Sequence, residues 1–211
     1  MAYDLEEQEQ IEALKAWWKQ NSRLVLLAVL AALVAFAAVS GWRYYKDRQA
    51  AQASQLYGEL EKAVQGADTK KINEAAAQLV DKYPRTAYAP MAALVAAKAS
   101  VDAGDLKAAG THLAWAVEHA RDDETRAVAR LRLAAVRLDE KQHDEALRLL
   151  EQEHPDAFTG LYADLRGDVL VAQGKLAEAR AAYKLALDKL APEATYRLIV
   201  QAKLDGIGGV N

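Results

Sequence analysis

The stretch of sequence that decides the fold is Gly167–Tyr183, GDVLVAQGKLAEARAAY. Apolar residues recur at helical spacing on both sides of Gly174, so the stretch predicts two helices joined by a short turn. Small residues allow two helices to approach closely, and Tyr183 is expected to fill the gap between them. The small residues expected at this contact are Gly167, Ala179 and Ala186.

The same helix-turn-helix unit recurs along the chain. An alanine is followed four residues later by a large apolar residue at Ala75/Leu79, Ala109/Leu113, Ala146/Leu150 and Ala179/Tyr183. The spacings of 34, 37 and 33 residues bracket the 34-residue period of the tetratricopeptide repeat (TPR), which the units resemble. We expect an all-α, TPR-like α-solenoid of four helix pairs over 44–83, 85–120, 122–154 and 156–191, capped by a helix at 193–205. A generic helical bundle is the alternative fold.

Composition supports a chain that is almost entirely helical. Of the 211 residues 52% are hydrophobic, with only 11 Gly and 4 Pro. The 27 Lys and Arg are outnumbered by 30 Asp and Glu, and this balance argues against a dedicated nucleic-acid binder. The absence of cysteine excludes disulfides, thiolate metal sites and a cysteine nucleophile.

A charge-free stretch of 19 residues, Leu24–Trp42, predicts a single transmembrane helix. As a helix it would be roughly 28 Å long, close to the thickness of the hydrocarbon core. The domains expected are a short helical segment (1–22), an anchor (23–43) and a TPR-like domain (44–211). Aromatic and basic side chains favour the membrane interface, and those expected to anchor the helix there are Trp17, Trp18, Arg23, Trp42, Arg43, Tyr44 and Tyr45.

Two alternatives to an uncleaved anchor are a buried core helix and a cleaved signal peptide. The preceding segment is long, acidic and rich in helix formers, which argues against a signal peptide. Three Lys or Arg flank the span on each side, so the positive-inside rule leaves the topology open.

No motif points to catalysis, a cofactor or a metal. His112 and His119 lie seven residues apart without an evident third ligand, and we interpret them as surface or interface residues. The acidic run Asp122–Glu124 falls at an expected helix start, where the helix dipole favours negative charge. The chain is therefore predicted not to be an enzyme.

The remaining candidate site is a partner-binding groove. The first helix of each TPR unit lines the concave face of such an array. The residues that the repeat register places there are Met91, Leu94, Lys98, Val101, Asp164 and Asp168. The alternative is that the apolar members of this set pack between neighbouring helices.

The chain also resembles the bacterial YfgM family over most of its length. The resemblance is carried by DLEEQEQIEALKAWWKQN, WRYY with AAQASQLYGEL, KYPRTAYAPMAAL, RLRLAAVRLDEKQHDEALRLL and GDVLVAQGKLAEARAAY, in this order. It implies an inner-membrane protein with a cytoplasmic N-terminus and a periplasmic TPR-like domain. It further implies an ancillary subunit of the SecYEG translocon, associated with the periplasmic chaperone PpiD and with newly translocated proteins.

Two classes of function follow from these patterns. The leading interpretation is a non-enzymatic scaffold tethered to the bilayer by one helix. The alternative is a regulatory or envelope-assembly adaptor that acts through Tyr3–Asn21 or through the TPR groove. The YfgM resemblance implies envelope stress signalling as one such role.

Overall fold

A computed structural model describes the backbone of residues 2–208 and the side chains of residues 9–208. The outer ends of the predicted first and last domains, residue 1 and residues 209–211, lie outside this range. Within it the chain is all-helical, as predicted, with nine α-helices and no strand. The chain divides into two compact units, Met1–Arg48 and Gln49–Asn211, and helix α1 (Ala2–Gln65) contributes residues to both.

The first unit contains the predicted membrane span within α1. The span is long and apolar enough to cross a bilayer, and none of its most apolar window is buried. Large side chains such as Leu24 and Phe36 are 67% and 72% exposed. The alternative of a core helix requires this stretch to be buried, whereas in the structure it is exposed.

The second unit is a series of antiparallel helix pairs that follows the predicted period. The end of α1 pairs with α2, and each later pair is separated from the next by a short break. The helices are α2 (Thr69–Lys82), α3 (Tyr88–Asp102), α4 (Leu106–His119), α5 (Asp123–Asp139), α6 (His143–Leu150), α7 (Thr159–Ala172), α8 (Leu176–Lys189) and α9 (Tyr196–Gly206). A short 3₁₀ turn, Asp156–Phe158, precedes α7 and was not anticipated.

The turn inside each helix pair has the same backbone geometry in all four units. One residue per turn has a positive φ: Ala67 (51°), Gly104 (78°), Lys141 (62°) and Gly174 (75°). The amide after each of these residues donates to a carbonyl five residues earlier, as Lys175 N does to Leu170 O at 2.9 Å. This is the hydrogen-bonding pattern that ends a helix in a left-handed residue. The turns thus identify four true repeats, including two that lack the glycine.

Aspartate caps begin several of the helices. Asp68, Asp105 and Asp122 each accept a hydrogen bond from the backbone amide three residues later, which satisfies an otherwise unpaired donor. Hydrogen bonding to Thr125 lowers the pKa of the Asp122 carboxyl. The acidic run Asp122–Glu124 is therefore a helix start, as predicted.

Close helix packing in the last pair depends on Gly167. Tyr183 is 2% exposed and lies across the α7–α8 contact. A Cβ atom at Gly167 would stand 2.3 Å from Cε1 of the Tyr183 ring, a distance that real contacts do not reach. The predicted roles of these two residues are confirmed.

Candidate partner-binding groove

The first helices of the repeats form a groove that begins with an apolar pocket of about 720 Å³. One wall comes from the end of α1 and the start of α2, where Leu60, Val64 and Ile72 line the pocket. The opposite wall is α3, which contributes Leu94 and Val95. The pocket exists because α1 and α3 are both the inner helices of their pairs and face each other across the repeat boundary.

A second pocket of about 290 Å³ lies one repeat further along, between α3, α4 and α5. Its apolar lining includes Val101, Leu113 and Val136. Three charged residues line both pockets and therefore mark the boundary where the two pockets meet: Lys98, Asp102 and Arg132. We call these three residues the charged boundary.

The charges at the boundary are not balanced. Lys98 Nζ lies 2.8 Å from Oδ2 of Asp102, so these two charges form an exposed ion pair one turn apart on α3. Arg132, which is also exposed, makes no hydrogen bond or ion pair with any described residue. The boundary thus presents one unpaired guanidinium between two apolar pockets.

The structure places the predicted groove residues in two different environments. Leu94 and Lys98 line the first pocket, and Lys98 and Val101 line the second. Met91 is 41% exposed but lines neither pocket. Leu94 also packs against the core cluster that contains Ala97 and Leu113. The two alternatives that the sequence left open for this residue, lining the groove and packing between helices, are therefore both met.

Asp164 and Asp168 do not lie at an open surface, which revises their predicted position. Asp164 is 2% exposed because α9 covers this part of α7. Lys203 of α9 lies 2.8 Å from Asp164 Oδ2 and 2.7 Å from Asp168 Oδ2. The Tyr196 hydroxyl donates to Asp164 at 2.6 Å, and the Tyr183 hydroxyl donates to Asp168 at 2.8 Å. We call these five residues the α9 cluster.

The α9 cluster shifts the ionisation of its members. Burial lowers the pKa of Lys203, but hydrogen bonds with Asp164 and Asp168 outweigh this effect and raise it above its usual value. Burial raises the pKa of Tyr183, and its hydrogen bond with Asp168 adds to the rise. Burial, together with the bond to Asp164, likewise raises the pKa of Tyr196. The cluster therefore holds the capping helix while Lys203, Tyr183 and Tyr196 keep their protons.

The predicted membrane-interface residues flank the apolar span on α1. Trp17, Trp18, Trp42, Tyr44 and Tyr45 are between 50% and 61% exposed, so their rings are available to an interface. The remaining two predicted anchors, Arg23 and Arg43, are also exposed. Their contact with lipid stays a prediction.

The histidines have structural surroundings. His119 stacks on Trp115 with ring centroids 4.2 Å apart and hydrogen-bonds to the Trp115 carbonyl. Burial lowers the pKa of His112. Across the residues whose side chains are described, no three His, Asp or Glu side chains converge in a way that suits a metal ion.

The helix pairs, the repeated turn and the groove define a TPR-like protein. Residues 15–209 match the family profile described as a tetratricopeptide repeat-like domain. The ancillary SecYEG translocon subunit of Neisseria gonorrhoeae is 34% identical over 98% of this chain and its own full length. Its namesakes from Haemophilus influenzae and Escherichia coli are 35% and 30% identical, over 88% and 84% of this chain and 91% and 85% of their own lengths.

The chain belongs to the family of ancillary SecYEG translocon subunits. The family combines an ancillary role with a TPR-like fold, so the chain is a non-enzymatic scaffold. The resemblance identified from the sequence is confirmed.

Arg132 is the groove residue that the sequence analysis missed. Three arginines of α5 look alike in the run RLRLAAVR. The structure separates them, since Arg130 donates to the Glu153 carbonyl at 2.7 Å and Arg137 pairs with Glu140 and Glu145. The repeat register gives no signal for Arg132, because it places Leu131 and Ala135 of α5 at the positions of Leu94 and Lys98.

Proposed function

We propose that this chain is a membrane-anchored ancillary subunit that associates with the SecYEG translocon. The observation that carries the proposal is the 30–35% identity, over most of both chains, to three relatives with that name. The exposed apolar stretch of α1 supports a membrane location. The residues that we propose for partner contact are Leu94, Lys98 and Val101 of the groove, together with the exposed Met91 three residues before Leu94 on α3.

The proposed mechanism is binding without turnover. A tether confines the TPR-like unit to the membrane surface and raises its effective concentration beside the channel. The two apolar pockets then provide surface that can bury a partner's side chains.

We further propose that the N-terminal segment lies in the cytoplasm and that the repeats lie in the periplasm, where PpiD and newly translocated chains are the partners. A short segment before the span and a long domain after it suit this orientation. The partner assignment rests on the YfgM resemblance in the N-terminal segment, the span and the repeats, which occur in the same order.

Co-isolation tests the translocon association. The tagged full chain is purified from mildly solubilised membranes, and SecYEG is measured in the eluate. A matched control replaces residues 24–42 with an unrelated apolar helix, and a second control is an unrelated single-span protein at equal abundance. We expect SecYEG enrichment with the native chain over the unrelated protein. Equal recovery from both would reject the proposal, while the anchor replacement reports whether the span itself contributes.

A regulatory adaptor that acts through the N-terminal segment is the second candidate function. It is favoured by the exposure of Ile11 (51%), Leu14 (65%) and Trp18 (50%), which lie at helical spacing on α1 before the span. Deletion of residues 1–20 separates the two functions. Loss of an envelope-stress output with intact SecYEG recovery would place both functions on one chain, and an unchanged output would exclude the adaptor role for this segment.

A further inference from the structure

The groove has an arrangement of charge that the translocon assignment does not explain. Each pocket is lined mainly by aliphatic side chains, yet the charged boundary between them carries two cations and one anion. Because Lys98 is neutralised by Asp102, the unpaired charge at the boundary itself is the guanidinium of Arg132. Arginine is well suited to hold a carboxylate, since its planar fork offers two parallel N–H donors.

Two further carboxylates restrict what the groove can hold. Glu61 on α1 lines the first pocket, and Asp139 on α5 lines the second. Asp139 follows Arg132 by two helical turns, roughly 10 Å along α5. Neither carboxylate forms an ion pair with a described residue, so a segment with acidic side chains at several positions would be repelled.

From this complementarity we infer that the groove takes a partner segment with one carboxylate flanked on both sides by large apolar side chains. The apolar side chains fill the two pockets, and the carboxylate pairs with Arg132 at the charged boundary. The inference rests on the proposed function in that the groove serves partner binding, and it adds the chemistry of the bound segment.

Pairing with Arg132 gives specificity, while the pockets give most of the contact. Because Arg132 is exposed, water weakens its pairing with a carboxylate, and the pair is expected to be worth roughly two- to fivefold in affinity. The R132A substitution is expected to weaken a matching peptide by about that factor. R132E is expected to weaken it further and to favour a basic residue at the same peptide position.

The test is a selection of random dodecapeptides displayed on phage against the full chain in lipid nanodiscs. Empty nanodiscs remove peptides that bind lipid. The variants are R132E, R132Q and the matched control R121E, which makes the same charge change at an exposed arginine outside both pockets. Because Arg132 has no described partner, these variants are expected to keep the helical content and unfolding temperature of the native chain.

The native chain and R121E should enrich peptides with one Asp or Glu between Leu, Ile, Val, Met or Phe. R132Q should keep the apolar preference and lose the acidic one, and R132E should select Lys or Arg instead. Enrichment without an acidic position, an acidic preference that persists in R132E, or no enrichment at all would each overturn the inference. SecYEG co-isolation with the same variants is scored separately, so a failed translocon association is distinguishable from a failed groove assignment.

Discussion

Removal of the Lys203 ammonium should detach the capping helix from the end of the array. Lys203 Nζ contacts both oxygens of Asp164, at 2.8 and 3.0 Å, and one oxygen of Asp168 at 2.7 Å. In K203M the Asp164 carboxylate, whose side chain is only 3% exposed, would keep the Tyr196 hydroxyl but lose its cation. The variant therefore leaves a buried charge unpaired.

The cost of this substitution can be bounded from the exposure of the three groups. Breaking a fully buried ion pair costs about 3–5 kcal/mol. The side chains of Lys203 and Asp168 are 28% and 27% exposed, so water compensates part of the loss. We therefore expect about 2–4 kcal/mol, which is roughly a 30- to 900-fold change in an equilibrium constant.

Hydrogen exchange of the full chain in detergent micelles measures this change locally. Because repeat arrays are stabilised mainly by contacts between neighbouring elements, the loss should fall on the amides of Tyr196–Gly206 and leave α3 and α4 protected. The matched control is K189M, whose pair with Asp188 spans 3.7 Å and is largely exposed. The control should change exchange by only about twofold.

An α9 that exchanges equally in K203M and K189M would refute the reasoning. A second check is the addition of D168N to K203M. It removes one of the two unpaired carboxylates and should restore part of the lost protection, as a coupled pair does. No restoration would show that the two carboxylates do not share the lysine energetically.

Three further predictions concern packing, a turn and pH. G167A should destabilise the chain by about 1–3 kcal/mol or more, because the added Cβ meets the Tyr183 ring. G58A, with open space around the added Cβ, should stabilise α1 by about 0.5–1 kcal/mol. Equal shifts in unfolding temperature would contradict the close contact of Gly167 with Tyr183. K141G should raise stability by about 0.5–1 kcal/mol, because a left-handed lysine costs more than the flexibility of glycine, and a lower unfolding temperature would contradict this. Stability should fall as the pH rises above about 10, because the pKa of Tyr196 is raised in the folded chain and the unfolded chain loses this proton first. Y196F should make the fall shallower in thermal melts at pH 8, 10 and 11. The same slope in both proteins would contradict the role of the raised Tyr196 pKa.

The repeat architecture was predictable because it depends on local spacing. The expected turn at Gly174 and the expected boundaries between helix pairs, near residues 84, 121 and 155, all fall between two helices. The left-handed turn at Lys141 was not predictable, because lysine gives no turn signal at the position that Gly174 occupies in the last pair. In the structure Lys141 takes the same left-handed conformation, because the helices on either side fix the turn whatever residue occupies it.

The groove was predictable only in part. Helix register placed Asp164 on the inner face of its helix, but whether another helix covers that face depends on where α9 docks. No local pattern reports that docking. Arg132 likewise resembles Arg130 and Arg137 in sequence, and only the tertiary positions of their partners show that it alone is unpaired.

Labelling of single cysteines tests most directly the proposal that α1 anchors the repeats on the periplasmic side of the membrane. The chain has no native cysteine, so A13C before the span and A177C on α8 each provide one exposed thiol. Both variants are treated with a membrane-impermeant maleimide in bacterial spheroplasts and after lysis. If the repeats are periplasmic, A177C is labelled in intact spheroplasts and A13C only after lysis. Protection of A177C until lysis would contradict the proposal, because the repeats would then face the cytoplasm.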